Sequence, residues 1–217
     1  IYTGEDTLSL HDALPISLRR QDMTSTVFLQ RIADLYDEFK QHDARQSDRL
    51  KRYRNIEAES AKLLGMLVRT QQSKQILEIG TSTGYSTLWL AEAAKSVGGK
   101  VQTLEINAFR SAQAKKYAEE FGLERFIDFW VGDASDYLAQ ATESYDLILL
   151  DAERGCYVSY LNDLKRLLQF SGNTLIVDNV ISHAAEVKDF LELIKADENY
   201  MSTVLPVGAG LCLVVLK

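Results

Sequence analysis

Five short apolar runs, each followed by a stretch of helical periodicity, constrain this chain more than any other feature. "KQILEIG" (74–80), "KVQTLEI" (100–106), "FIDFWVG" (126–132), "YDLILLD" (145–151) and "NTLIVDN" (173–179) have the length of strands. Helical patterns follow them at about 85–96, 108–121, 134–141, 157–169 and 184–196. Such alternation makes βαβ units, and so a mostly parallel sheet with helices on both faces. The tail differs: "STVLPVGAGLCLVVLK" (202–217) reads as two strands joined at Gly208-Ala209-Gly210, which predicts an antiparallel last strand. Upstream, Val27, Ile32, Leu35, Tyr36 and Phe39 recur at helical spacing within about 23–46. Leu63, Leu64, Leu67 and Val68 mark one face of a second helix over about 56–70. The fold class is therefore α/β with extra N-terminal helices.

A chain of 217 residues with 46% hydrophobic content can bury one large core. The organisation expected is a main domain over 56–217 with a helical extension over 17–55. Residues 7–17, "TLSLHDALPIS", match the translation of a common short-read sequencing adapter, and "IYTGED" before them fits its upstream part. Residues 1–16 are accordingly read as an assembly artefact and left out of the fold argument. No apolar run approaches the roughly 20 residues of a membrane helix, so no membrane partner is expected. The net charge of -7 argues against a nucleic-acid partner. Cys156 and Cys212 match no metal-ligand spacing, and a reducing, cytoplasmic setting is expected.

In an open α/β sheet the ligand lies beyond the carboxyl ends of the strands. The first run continues as "LEIGTSTGYST" (77–87), placing Glu78, Gly80, Thr81 and Gly84 before a helix that starts near Tyr85. Glycines there admit close approach of backbone to ligand, and hydroxyls cap the helix or bind. The spacing is not G-x-G-x-x-G, so the dinucleotide fingerprint is missing. The second run ends on Glu105, about 20 residues further on, where an acid can hold ribose hydroxyls. Gly132-Asp133-Ala134 suits an adenine edge, with Asp133 accepting from the amino group. Together these describe an adenosine site without a phosphate cradle, which suits S-adenosylmethionine (SAM) better than NAD. Were Gly80 and Gly84 only a tight turn and Glu105 only a solvated rim, the agreement of three strand ends would be a coincidence.

Asp151 ends the fourth run and Asp178-Asn179 the fifth. Two carboxylates and an amide oxygen form a hard, oxygen-only set that suits Mg²⁺ or another divalent cation rather than zinc. Each has a plainer reading: helix capping for Asp178-Asn179, contact with the cofactor's amino group for Asp151.

Five segments now define a resemblance. "LEIGTSTGYSTLWLA" (77–91), "TLEIN" (103–107), "GDA" (132–134), "LLDAE" (149–153) with Tyr157 and Tyr160-Leu161, and "LIVDNV" (175–180) resemble the cation-dependent O-methyltransferases, the group of catechol and caffeoyl-CoA O-methyltransferases. The resemblance covers about residues 50–217. It implies a Rossmann-like, seven-stranded sheet with an antiparallel last strand, often in a homodimer. By position, Glu78, Gly80, Thr81, Ser86, Glu105, Asp133, Ala134 and Asp151 would hold SAM, and Asp151, Asp178 and Asn179 the metal. The implied acceptor is a small catechol- or phenol-like molecule.

The chain departs from the family where the family usually reads D-A-D-K-x-N-Y, its lysine taken as general base. Here the register gives Asp151-Ala152-Glu153-Arg154-Gly155-Cys156-Tyr157. A guanidinium stays protonated near neutrality and cannot accept a proton. Asp151, Arg154 and His183 are the candidate catalytic residues, with Arg154 stabilising an oxyanion and His183 or Glu153 available as base. Two alternatives stay open: a metal-independent methyltransferase acting on another oxygen or on nitrogen, and a non-catalytic SAM-binding module. A nicotinamide oxidoreductase is disfavoured by the missing glycine fingerprint.

Overall fold

The computed structural model describes residues 16–217. Residues 1–15, nearly all of the segment read as adapter-derived, lie outside the described residues. Two helices, α1 (Ile16–Ala44) and α2 (Ala58–Gln71), precede the alternating part. That part runs β1 (Gln75–Ile79), α3 (Tyr85–Val97), β2 (Lys100–Glu105), α4 (Ala108–Glu120), β3 (Ile127–Val131), α5 (Ala134–Gln140), β4 (Leu147–Leu150), α6 (Tyr157–Leu167), β5 (Thr174–Val177) and α7 (Ala184–Lys195). The chain closes with β6 (Tyr200–Leu205) and β7 (Leu211–Leu216). The strands form one sheet in the order β3-β2-β1-β4-β5-β7-β6. β7 runs antiparallel to both of its neighbours, β5 and β6, as the tail's pattern requires, and the other pairings are parallel.

The sheet divides the core by simple alternation. Ile76, Leu147, Leu149 and Ile176 face one side with α1, α2 and α3, whereas Leu77, Ile148, Leu150, Leu175 and Val177 face the other with α5, α6 and α7. Strands covered on both faces read as continuous apolar runs, and every residue of β4 is fully buried. The buried stripe of α1 is Phe28, Ile32, Leu35 and Phe39, and the Phe28 ring meets Trp89 edge-on at 5.3 Å. Val27, expected on this stripe, is exposed. Phe28 takes the inner position because 28, 32, 35 and 39 step by whole helical turns and 27 falls off the face.

The register sets the strand ends level. Ile79 pairs with Leu150, and Leu150 with Val177, so Gly80, Asp151 and Asp178 follow side by side. Glu105 pairs with Val131, bringing Gly132 beside it. The backbone N–H groups of Asp151, Asp178 and Gly132 donate to Ile79, Leu150 and Glu105 across the neighbouring strands, which carries the alignment one residue past the sheet. The strand order turns at β1 and β4, the crevice where open α/β sheets take ligands. The turn between β6 and β7 braces this edge: Val180 N and Ser182 N donate to Gly210 O and Ala209 O, and Ser60 Oγ donates to Val207 O.

Replacing Leu164, fully buried in α6, by alanine is expected to cost about 2–5 kcal/mol of stability, read as a lower midpoint in urea unfolding with unchanged slope.

Candidate functional site

At the switch between β1 and β4, Gly80 has φ +109°, and a Cβ there would lie 2.0 Å from the Asp151 carbonyl oxygen. Only glycine lets the two loops touch. Above them opens a cleft of about 490 Å³. Gly80, Ser82, Glu105, Gly132, Asp133 and Ala134 line one end; Asp151, Glu153, Arg154, Asn179 and His183 line the other. The strand ends read from the sequence as two half-sites therefore border a single space.

Glu105 is buried at the cleft wall and accepts from Ser82 N at 2.8 Å and from Asn107 N at 2.9 Å. These bonds fix the carboxylate against the glycine loop. Asp133 caps α5, accepting from Ser135 N at 2.9 Å. Glu78, Thr81 and Ser86 are buried and do not line the cleft. Glu78 sits beneath it, accepting from Thr87 Oγ1 at 2.5 Å and Thr103 Oγ1 at 2.6 Å, with the Ser86 hydroxyl a further favourable neighbour. Burial pushes its carboxyl up to about 7 despite those hydroxyls. The Thr81 hydroxyl is spent on Thr103 at 2.5 Å.

At the other end Asn179 Nδ2 donates to Asp151 Oδ1 at 3.0 Å and to Asp178 Oδ2 at 2.9 Å. Asn179 holds a left-handed φ of +68°, a conformation asparagine tolerates better than other residues with a side chain. Asp178 is almost fully buried, and among the described residues its Oδ1 has no partner. Desolvation raises the Asp178 carboxyl to about 6; desolvation and then repulsion from Asp178 raise that of Asp151 well above the ordinary range. Among the described residues no group of three or more histidine, cysteine, aspartate or glutamate side chains is placed to hold a metal ion. The candidate donors are thus the two carboxylates and the amide. The two ends of an amide are interchangeable by a flip, which would turn Asn179 Oδ1 towards both carboxylates and give an all-oxygen set with a spare buried oxygen. These residues fit a hard divalent cation.

Arg154 lies in a 3₁₀ turn, Arg154–Cys156, and is buried. Its Nε donates to Glu186 Oε2 at 2.8 Å, a partner on the first turn of α7. That guanidinium holds the Glu186 carboxyl below its usual range. His183 lines the cleft just before α7, with Nδ1 2.8 Å from Ser182 Oγ. Cys156, read from the sequence without a role, is half-buried on the lining.

Sequence reasoning missed the connection between α1 and α2. Arg49, Arg52, Tyr53, Arg54, Asn55 and Glu57 all line the cleft. The signal available was the basic run "RLKRYR" (49–54), which has no periodicity.

A family model described as O-methyltransferase matches residues 33–217, and the chain belongs to this O-methyltransferase family. The catechol O-methyltransferase of Niastella koreensis is 34% identical over 131 residues, 58% of each chain. That of Mycobacterium tuberculosis is 35% identical over 127 residues, 58% of this chain and 57% of its own. The chain thus spans less than two thirds of these relatives. Caffeoyl-CoA O-methyltransferase 2 of Populus trichocarpa is 32% identical over 179 residues, 72% of each. Among solved structures, the O-methyltransferase from Bacillus cereus in complex with SAH is 28% identical with a TM-score of 0.69, covering 90% of this chain and 91% of that one. The O-methyltransferase TomG from Streptomyces achromogenes, involved in tomaymycin synthesis and in complex with SAM, is 26% identical with a TM-score of 0.72, covering 88% and 89%.

Because Glu78 titrates higher folded than unfolded, the folded state binds more protons between the two values. Its contribution is present at acidic pH and is lost as pH rises through about 7. Glu78→Gln is therefore expected to flatten the ligand-free protein's loss of stability over that interval, measured by urea unfolding at a series of pH values; an unchanged slope would contradict it.

Proposed function

We propose that the protein is a SAM-dependent O-methyltransferase, assisted by a divalent cation, acting on a catechol- or phenol-like small molecule. The observation that carries this reading is the single cleft bordered by Gly80, Glu105 and Asp133 at one end and by Asp151 and Asn179 at the other. Relatives named catechol and caffeoyl-CoA O-methyltransferase support the acceptor class. Residues 56–217 then form the methyltransferase domain, and residues 17–55 an extension walling the acceptor end.

In this reading Glu105 holds the ribose, and Gly80, Asp133 and Ala134 border the rest of the cofactor. Glu78, Thr81 and Ser86 act from beneath the loop, shaping it. Asp151, Asp178 and Asn179 would hold Mg²⁺. When bound, SAM supplies the methyl group and the cation acidifies the acceptor's hydroxyl. The chain's own contribution is to hold nucleophile and donor in line and to exclude water. Arg154 cannot serve as base; fixed through Nε by Glu186, it keeps its Nη donors for an oxyanion. His183 and Glu153, both on the lining at that end, are the candidate bases. We assign the protein to the cytoplasm. We also propose a homodimer, for which exposed Met201 and Val204 on edge strand β6 give an apolar surface.

The Asn179 amide donating to both carboxylates also favours a second reading, methyl transfer without metal, since the amide alone can hold the acids together. Divalent-cation dependence separates the two. Asp178→Ala is expected to abolish Mg²⁺ stimulation of methyl transfer to catechol, and EDTA to stop the wild type; EDTA-resistant turnover would remove the metal role. Arg154→Lys is expected to keep or raise activity, because charge is retained and a group able to lose a proton is gained. A loss of roughly thousandfold in kcat would instead assign the planar guanidinium a task lysine cannot perform.

A further inference from the structure

The charge of Arg154 acts on three acids, and the guanidinium is bonded to the most exposed of them. The Arg154 side chain is 7% exposed, whereas that of its partner Glu186 is 49% exposed. Asp178 is almost fully buried and Asp151 half-buried. Desolvation raises the carboxyls of both aspartates, and the Arg154 charge works against that rise in each. Among the described residues Arg154 nonetheless forms an ion pair with neither aspartate. Attraction between opposite charges strengthens as the surrounding dielectric falls, so burial by itself favours the aspartates as partners. Position decides the pairing instead.

That position comes from α7. Val187, Phe190 and Ile194 are its buried residues, and the Phe190 ring meets Tyr157 edge-on at 5.7 Å, three residues past Arg154. The contact packs α7 on the 3₁₀ turn that carries Arg154. Glu186 lies one helical turn before Phe190 and so projects on the same side of α7. An acid in the first turn also complements the helix dipole, which favours Glu186 where it stands. Its Oε2 accepts from Arg154 Nε at 2.8 Å. His183 and Arg49 add favourable charge to that bond, and among the described residues neither pairs with Glu186.

We propose that Glu186 is a positioning residue that keeps the Arg154 guanidinium off the Asp151–Asp178 pair, leaving the two acids open to a divalent cation. The inference rests on those acids being the cation site. A guanidinium is a planar fork suited to carboxylates, and this one follows Asp151 by three residues. Freed from Glu186, it turns to the aspartates and becomes their counter-ion, in competition with the cation. The arginine that stands where the family usually has lysine thus depends on a partner 32 residues away.

Calorimetric titration with Mn²⁺ tests this without turnover. Glu186→Gln, which keeps the size of an exposed side chain, is expected to raise the Kd for Mn²⁺ about tenfold or more, with Glu186→Asp falling between it and the wild type. In an Arg154→Gln background the same Glu186→Gln change is expected to alter the Kd by no more than about twofold, since no guanidinium remains to turn. An equal loss in both backgrounds would overturn the proposal, because Glu186 would then act through its own charge. An unchanged Kd in Glu186→Gln would overturn it as well. The ¹H–¹⁵N resonance of Arg154 Nε, identified by its absence from Arg154→Lys, reads the position of the guanidinium directly. It is expected to shift and to exchange faster with solvent in Glu186→Gln, and a resonance left in place would refute the positioning role. Wild-type protein that takes up no Mn²⁺ would remove the cation reading of the acids together with this proposal, whereas Mn²⁺ binding that ignores Glu186 would remove the proposal alone.

Discussion

The contact between Gly80 and the Asp151 carbonyl sets the geometry on which the cleft depends. Two parallel strands, β1 and β4, are adjacent in the sheet but feed helices on opposite faces. Their outgoing loops must part, and the space between them is where a ligand fits. The loops still touch at their base, because residue 80 lacks a side chain and turns at positive φ. Much of what borders the cleft is placed relative to this contact: Glu105 through Ser82, Asn179 through the next strand with Asp178 buried behind it, Arg154 through the turn after Asp151.

Much of the fold was legible because buried parallel strands leave little choice of residue. The runs ending at Leu150 and Val177 are apolar or buried on both faces, and the one ending at Ile79 is buried on both with Glu78 its one charge, a pattern no surface helix would carry. The antiparallel last strand followed from a glycine turn too short to carry a crossover. The error in α1 was one of phase. Val27 and Phe28 are both apolar, and periodicity alone does not say which faces the core until Trp89 is in place to receive a ring.

The site was legible to the extent that its residues end strands. Glu105, Asp133, Asp151 and Asn179 were placed beside one space by the rule that ligands lie at the carboxyl edge, and they border it. The rule does not say which way a side chain turns, and Thr81 and Glu78 point into the hydrogen-bonded layer below. Other features had no local signature. The Arg154–Glu186 pair joins residues 32 apart, and nothing near Arg154 announces its partner. The arginine connection likewise becomes part of the site only through Asp43, Ser82 and Thr83, contacts between segments that sequence spacing does not reveal.

The turn between β6 and β7 touches both flanks of this cleft. It accepts N–H groups of the segment after Asn179, and Gly208 packs against Glu57 and Ser60 at the start of α2. Lengthening that turn by a residue would disturb the arginine wall and the acidic wall at once. One short turn near the carboxyl end of the chain is thus a shared buttress for both walls.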